Sequence, residues 1–507
     1  MALYGLYKRF ASPTDPPDRA VSAAVQGLAR ALLEAPLAGV TDLIPAYASL
    51  YVEFDATRVS AQRVRAWLER GERVSPPPPS RTVELAVHYD GPDLASVAER
   101  TGLTVDEVVA RHAGRAYYVY AVGFTPGLAF MGEVDPQLQL PRRPKPRGRV
   151  AAGSVAIAGA QTTVYPVASP GGWHLLGRTL EPVYDPHARE PLRLAAGDTV
   201  RFRPSPIPPH HTGLDERPLE LLPEGPERPL LRVLEPGLLD LVVDAGRFWA
   251  GRYGFARSGP LDARSAALAN RLVGNPPGAA LLELNARGGL YEALAAGVLA
   301  FAGYGLRPLR NGEPMPPFTS FAVREGDRLA FAPTPRGCRG YLALAGGVES
   351  GRFLGSAAVD LKGRIGRALR AGDVLGTARS APVRPGRSFV PHGEPGPDTT
   401  LRVLPGPQAS GEALAALTAG AFTVVRADRM GVQLGGPPVP GGEVRSEGVP
   451  LGAVQVPPGG EPIVLLADRG TMGGYAKPAV LHPADLARAG QLRPGDRVRF
   501  RRLAGGA

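Results

Sequence analysis

Apolar positions recur with two different periods along the chain. Val21, Val25, Leu28 and Leu32 fall three or four residues apart, the spacing of one helix face. Leu50, Val52 and Phe54 alternate, as the buried face of a strand does. Ser60 stands where a cap is expected for a second helix carrying Val64, Trp67 and Leu68, and Gly71 ends it. These signals predict mixed α/β structure over residues 16–75, followed by a stiff linker at Pro76 to Pro79. A strand is expected over 83–88. Thr104 and Glu107 form a capping-box pair for a helix over 105–111. From Tyr117 onward, short apolar runs are broken by Gly and Pro, the pattern of β-barrels. Stretches 203–230 and 380–400 lack either period and read as junctions.

Two strings recur. Leu231-Arg232-Val233-Leu234 returns at 401–404, and Gly326-Asp327-Arg328-Leu329-Ala330-Phe331 returns as Gly495-Asp496-Arg497-Val498-Arg499-Phe500. Within each copy the offset between the two strings is nearly equal, 95 and 94 residues. A third form, Gly197-Asp198-Thr199-Val200-Arg201-Phe202, ends the earlier β region. Gly-Asp before an alternating run is a turn feeding a strand. The repetition predicts barrel-like units in the second half.

Composition narrows the class. The 507 residues exceed one ordinary core, so several domains are expected. The expected fold class is mainly β, with a small α/β N-terminal domain. No uninterrupted apolar run reaches membrane-spanning length, and the N-terminal residues do not read as a secretory signal. The expectation is a cytoplasmic protein with no membrane association. Cys338 is the only cysteine, so no internal disulfide can form. It sits between Arg336 and Arg339, which could lower its pKa, although a buried inert thiol is the simpler reading. The formal charge is +11, carried almost wholly by arginine. The one basic cluster runs from Arg142 to Arg149 and is broken by Pro144 and Pro146, so it is extended and not a groove-reading helix. That favours a small anion or a partner surface over nucleic acid.

The chemistry-bearing segments are glycine-rich. The chain lacks a phosphate loop, an H-E-x-x-H helix, paired C-x-x-C and a biotin-carrying Met-Lys-Met step. His210-His211 has no third ligand nearby in sequence, and no metal is expected. Gly153, Ser154, Gln161, Thr162, Tyr165, Ser169, Gly171, Gly172, Trp173, His174 and Arg178 lie on one strand-turn-strand block. There, glycines allow close main-chain approach and the side chains offer donors and acceptors. Phe124 and Pro126 sit on the Gly123-Phe124-Thr125-Pro126-Gly127 turn, a candidate binding lip. Arg257 and Ser258 precede a helix capped by Asp262 and could hold a carboxylate or phosphate. Gln455 precedes a buried strand ending in Asp468, followed by Gly473, Gly474, Tyr475 and Lys477. Asp468 reads equally well as a base or as a tie for the Gly-Gly turn; Lys477 is favoured for an anion. The two blocks share an order of strand, polar residues, Gly-Gly, aromatic and basic residue. They are expected to converge into one cleft.

Those motifs resemble two known families joined end to end. Residues 1 to about 225 resemble the KipI family, also called the B subunit of 5-oxoprolinase or allophanate hydrolase subunit 1. The resemblance rests on Gly123 to Gly127, Pro141-Arg142-Arg143, Ala152 to Val155, Gly159 to Thr162 and Ser169 to Trp173. Residues 230–503 resemble the KipA family, the C subunit of 5-oxoprolinase or allophanate hydrolase subunit 2. There it rests on Arg257-Ser258-Gly259, Asp262, Leu268 to Asn270, Val273 to Asn275, Glu283, Ala345 to Gly347, Ser446 to Val449 and Leu466 to Asp468. The pair is also similar to the carboxyltransferase part of urea carboxylase. The resemblance implies units at 1–78 (small α/β), 80–225 (cyclophilin-like β-barrel), 230–385 and 395–507 (two further barrel units).

It also implies an ATP-dependent 5-oxoprolinase that opens a lactam to glutamate, using ATP with Mg and a separate A-type subunit. In that scheme Arg178, Arg257 and Lys477 neutralise phosphate or carboxylate, and Gln161, Thr162 and Gln455 orient the amide. Asp468 is the base. The alternatives are a urea carboxylase-type carboxyltransferase with biotin in trans, and a non-catalytic regulator of a sensor kinase. A homo-oligomer is possible.

Overall fold

The computed structural model describes residues 1–12, 14–72, 81–208, 217–391 and 395–503. The proline linker at 76–79 and the His210-His211 pair lie outside the described residues.

Strands Leu3–Arg9, Ser49–Asp55 and Val40–Pro45 form an antiparallel sheet with Ser49–Asp55 in the middle. Helices Arg19–Glu34 and Ala61–Glu72 complete this α/β region. Val25, Leu28, Leu32, Val64, Trp67 and Leu68 from the helices share one apolar cluster with Leu43, Leu50, Val52 and Phe54 from the sheet. Both periods read from the sequence therefore mark real faces. All seven residues of Ser49–Asp55 are buried, however. The second face of the sheet, with Tyr51 and Glu53, is covered by other parts of the chain.

A closed seven-stranded barrel follows. Its strands in chain order are Thr82–His88, Ala116–Val122, Ala129–Gly132, Ser154–Ala158, Gln161–Val164, His174–Thr179 and Thr199–Pro204. Two helices, Leu94–Thr101 and Val105–Ala113, bridge the first and second strands, and the Thr104–Glu107 capping box is formed.

Residues 398–502 build a second ring from Asp398–Pro405, Ala421–Ala427, Gly431–Gly435, Ala453–Val456, Ile463–Leu465, Met472–Leu481 and Arg497–Arg502. Its eight-stranded sheet includes one appended strand, Glu443–Gly448, and closes through pairing of Asp398–Pro405 with Met472–Leu481. Counting ring strands in chain order, both rings have the same circular order, 6-1-7-2-3-5-4. In both, the first and last strands run parallel, Thr82 beside Thr199 and Asp398 beside Arg497.

The region between them corrects the expectation of a third barrel over 230–385. It holds a six-stranded and a five-stranded sheet that contribute to one apolar core. The equal offset of the repeated strings is thus not structural equivalence. Arg328–Pro333 pairs with Leu290–Ala293, which lies between it and Pro229–Glu235. The counterpart of Gly495-Asp496 is Gly197-Asp198, since each opens the last strand of a closed ring. A Gly-Asp turn reports the turn and not the strand's neighbours. Among the described residues, no helix is long and apolar enough to cross a membrane.

Candidate functional site

The matching ends of the two barrels meet. In the first barrel the loop between strands two and three is the Gly123–Gly127 turn, and the loop between strands five and six runs from Tyr165 to Trp173. In the second barrel the same two loops carry Arg429 and Leu466 to Thr471. A Cβ on Gly123 would come within 2.5 Å of Met472 Cγ. Trp173 and Met472 belong to one apolar cluster with Tyr47, Tyr51 and Tyr120. The Gly-Gly-aromatic echo seen in the sequence is therefore topological, since each copy lies at the start of its barrel's sixth strand.

At this seam Phe124 has φ +70° and is 42% exposed. Lys362 Nζ donates to the Phe124 carbonyl (2.9 Å) and lies 4.5 Å from its ring centre. The turn is anchored to the middle region by Gly127 N–H donating to the Tyr253 carbonyl (3.0 Å). Ser258 also has positive φ, +54°, and is fully buried. Two non-glycine residues in this region carry backbone strain that their surroundings must hold in place.

Beneath the turn lies a buried ionic junction drawn from three parts of the chain. Arg257 pairs with Glu53, and Arg469 Nη2 lies 3.7 Å from the same carboxylate. Asp42 accepts from Gly251 N–H (3.0 Å) and Leu43 N–H (2.9 Å). Burial, then the neighbouring Glu53, pushes the Asp42 carboxyl up to about 7. These groups line a cavity completed by Ile44, Tyr51, Phe255 and Thr471. Glu53 Oε2, Arg257 Nη1 and Thr471 Oγ1 are buried without a hydrogen-bond partner, as are the hydroxyls of Thr125 and Ser258. Buried polar atoms are nearly always satisfied, so a group of orphans marks a place for a polar occupant.

Asp468 belongs to an adjoining network. Arg429 grips it through Nε (2.8 Å) and Nη2 (3.0 Å), and also pairs with the fully buried Glu283. Burial raises the Asp468 pKa and Arg429 opposes that rise. Asp468 is therefore tied to Arg429, not to the Gly473-Gly474 turn.

The remaining predicted residues divide. Gln161 donates to the Tyr47 hydroxyl, and Tyr165 (pKa pushed up to about 12 by burial) and Trp173 join the same aromatic cluster. Gly171 and Gly172 flank that cluster. Gln455 sits behind Gly473, whose Cβ would meet its Nε2 at 2.8 Å. Tyr475 pairs across the sheet with Glu443, next to Gly474. Pro126 and Ser169 are buried at the seam loops.

Others do not face the seam. Thr162 Oγ1 bonds the Ala156 carbonyl (3.0 Å) and His112 inside the barrel. His112 is pushed down to about 3 by burial, which keeps it neutral. His174 bonds the Pro141 carbonyl (2.9 Å), Ser154 is a buried strand residue and Gly153 is a turn. Arg178 pairs with Asp90. Lys477 is 0% exposed and pairs with Glu447 (3.1 Å). Its ammonium thus meets an internal anion, as Arg257 does. Cys338 is raised by burial, which outweighs Arg339. Among the described residues, no group of three or more His, Cys, Asp or Glu side chains is placed to hold a metal.

Comparison with known proteins agrees with this arrangement. The model for carboxyltransferase domain subdomains C and D matches residues 5–194, and that for subdomains A and B matches residues 253–502. The 5-oxoprolinase B subunit of Bacillus subtilis (strain 168) is 35% identical over 198 residues, 36% of this chain and 82% of the relative. The 5-oxoprolinase C subunit of Escherichia coli (strain K12) is 31% identical over 284 residues, 54% of this chain and 90% of the relative. The chain belongs to the carboxyltransferase-domain family.

The urea amidolyase of Lachancea kluyveri is 30% identical over 303 residues, 53% of this chain but 16% of that protein. The match to the 5-oxoprolinase B subunit of Escherichia coli O157:H7 spans 66% of that protein's length. The crystal structure of TTHA0988 superposes with a TM-score of 0.94 at 53% identity, covering 98% of this chain and 100% of that one. The curated relatives named here are enzyme subunits or enzymes, and this chain joins a B-like and a C-like half.

The sequence reading missed Asp42, Glu53, Lys362, Arg429 and Arg469. Glu53 falls between the alternating Val52 and Phe54, and nothing local marks it as a site residue. Arg429 and Glu283 are 146 positions apart. Lys362 offered one signal, as one of only four lysines.

Proposed function

We propose that this chain is the fused B and C modules of an ATP-dependent 5-oxoprolinase, which opens the lactam of 5-oxoproline to glutamate with a separate A-type subunit. One observation supports it above the rest: the junction needs both halves. Glu53 and Thr125 come from the B-like half, and Arg257, Ser258 and Thr471 from the C-like half. The orphaned Arg257 Nη1 is a donor and Glu53 Oε2 an acceptor, the complement of an amide's C=O and N–H. A fixed donor aimed at an amide oxygen stabilises the negative charge that develops on attack, by about 3 kcal/mol per donor. Asp468, whose pKa burial raises against the opposing pull of Arg429, is the candidate to take a proton from water.

The donor set does not fit a triphosphate. Arg257 and Arg469 already share the Glu53 carboxylate. ATP with its Mg is therefore assigned to the A-type subunit. The test combines this protein with a candidate A-type subunit, ATP and 5-oxoproline, following glutamate and ADP. Glutamate formation that requires both proteins is expected; none with any A-type partner overturns the reading.

The family name favours a second reading, carboxyl transfer from biotin supplied in trans to a small amide such as urea. Transfer of labelled carboxyl from a biotin carrier to urea, without ATP cleavage by an A-type partner, would select it.

A further inference from the structure

Lys362 is held rigidly at the mouth of the seam. Asp360 and Ile365 exchange both backbone hydrogen bonds (2.8 and 2.9 Å), which closes a tight turn over residues 361–364. Gly363 N–H donates to Asp360 Oδ1 (2.9 Å). From the B-like half, the Tyr184 hydroxyl donates to the Gly363 carbonyl. Arg364 in this turn has φ +55°, and Phe124, whose carbonyl Lys362 holds, has φ +70°. Lys362 thus joins two strained turns, one from each half.

The ammonium is only partly used. An ammonium has three donors, and one of them goes to the Phe124 carbonyl. Among the described residues Lys362 makes no ion pair, whereas Lys8 pairs with Glu72 (2.6 Å) and Lys477 with Glu447 (3.1 Å). Lys145 is exposed on the proline-rich segment. A half-buried cation with spare donors and no counter-ion is costly until an anion completes it. The junction arginines differ, since Arg257, Arg429 and Arg469 already meet carboxylates. Contacts also place Lys362 beside the candidate site. A Cβ on Gly470 would stand 3.3 Å from the Phe124 carbonyl oxygen that Lys362 holds. Gly470 lies two residues after Asp468 and next to Thr471, whose hydroxyl is one of the orphans. Phe124 is 42% exposed and Lys362 half-buried, so the ammonium is open to a ligand from outside.

We infer that Lys362 anchors the carboxylate of the lactam substrate at this mouth. The identity of the ligand rests on the proposed function, and the placement of the anchor rests on the contacts above. In 5-oxoproline the carboxylate sits on the ring carbon bonded to the amide nitrogen, so its anchor belongs close to the groups that meet the amide.

Steady-state kinetics of the full chain, assembled with an A-type subunit and ATP, separates an anchor from a merely structural latch. Lys362→Met should raise KM for 5-oxoproline at least about tenfold, as loss of one charge-assisted hydrogen bond implies. Its kcat should change by less than about threefold, the pattern of lost uniform binding. Lys362→Arg should recover part of the loss. The probe 2-pyrrolidinone is the same ring without the carboxylate, and it should inhibit wild type and Lys362→Met equally. A latch that only held the Phe124 turn would weaken both ligands alike. A second readout needs no turnover. Acylation by N-hydroxysuccinimide acetate, mapped by mass spectrometry in the same assembly, should be slowed at Lys362 by 5-oxoproline and not by 2-pyrrolidinone. Lys145 should be protected by neither. An unchanged KM in Lys362→Met, equal weakening of 2-pyrrolidinone, or no protection while glutamate still forms would each overturn the anchor and leave the proposed function standing. Protection without glutamate formation would do the reverse, and absence of both would overturn both.

Discussion

Replacing Arg429 by methionine tests whether the network around Asp468 is held by charge. The Arg429 side chain is 5% exposed, Glu283 0% and Asp468 12%. Arg429 also donates to the Ser258 and Gly259 carbonyls (3.3 and 2.9 Å). Methionine fills similar space but leaves two buried carboxylates without their cation. Breaking a buried pair this way costs about 3–5 kcal/mol. At about 2.1 cal/mol/K per residue, cooperative unfolding of a chain this long carries an entropy of about 1.1 kcal/mol/K, so Tm should fall by about 3–5 °C. An exposed pair such as Arg232–Glu292 would give under about 1 °C.

The pH dependence sharpens the test. Burial alone would raise Glu283, but Arg429, then Arg339 and its hydrogen bonds, hold its pKa below the ordinary value of 4.5. A carboxylate depressed in the folded state stabilises above its unfolded pKa and loses that contribution as pH falls through the folded value. Without Arg429 the folded-state pKa rises, so the variant gains protons on folding. Its deficit should be large near pH 7 and smaller near pH 5. Scanning calorimetry at both pH values, with circular dichroism as a second probe, reads the difference. Glu283→Gln added to Arg429→Met should recover part of the loss. An unchanged Tm near pH 7, or equal deficits at both pH values, would refute the reasoning.

Asp468→Asn should cut turnover at least about a hundredfold in the assembled system, with a smaller fall in Tm than Arg429→Met because Glu283 still meets Arg429; unchanged turnover removes Asp468 from the chemistry. Asp42 is raised in the folded state, so its contribution is fully present below 3.8 and lost as pH rises through about 7. Asp42→Asn should therefore flatten the decline of urea-midpoint stability across that window, and an unaltered slope would contradict the assignment. Gly254 has φ +84°, and a Cβ there would lie 2.8 Å from the Thr125 carbonyl carbon. Gly254→Ala should lower stability by at least about 2 kcal/mol, from left-handed strain and overlap together; a midpoint within experimental error of wild type would show that the turn moves freely.

Local signals carried well from sequence to structure. The Thr104–Glu107 box, Asp262 accepting from Ser265 N–H (3.0 Å) and the helix through Val64, Trp67 and Leu68 depend on neighbours a few positions away. Such patterns are written in consecutive residues. The site is written in pairs that are not. Arg257 meets Glu53 across 204 positions, and nothing near either residue indicates that partner. Alternation at Leu50, Val52 and Phe54 correctly marked one face of a strand, yet carries no signal of what covers the other face, with Tyr51 and Glu53. Residues distant in sequence cover that face: Gly448 of the second barrel lies against Tyr51, and Arg257 of the middle region pairs with Glu53. The same blindness made Lys477 look like a ligand group, since a lysine after a Gly-Gly turn gives no sign that Glu447 awaits it. The barrels themselves were legible as short strands, and Gly-Asp turns located the last strand of each. Closure was not, because the parallel pairing of first and last strands joins residues about a hundred positions apart.

The equal ring order gives the seam a physical logic. Corresponding loops of two similar barrels face each other, but their chemistry has diverged. In the second barrel they carry Arg429 and Asp468, a pair internal to that half. In the first they carry Phe124 and Trp173, which bring apolar surface and one strained turn. One barrel thus supplies fixed charge and the other supplies cover that excludes water, and Coulomb interactions strengthen as water is excluded. Neither loop set alone meets both needs. The α/β sheet adds Asp42 and Glu53 between them, and the Glu53–Arg257 pair is made only when the halves are docked. A buried half-pair costs several kcal/mol, so the undocked halves are disfavoured, and joining them in one chain keeps the second half at high effective concentration. On this argument the fusion maintains the charged junction, and variants that weaken docking at Glu53 should lower activity and stability together.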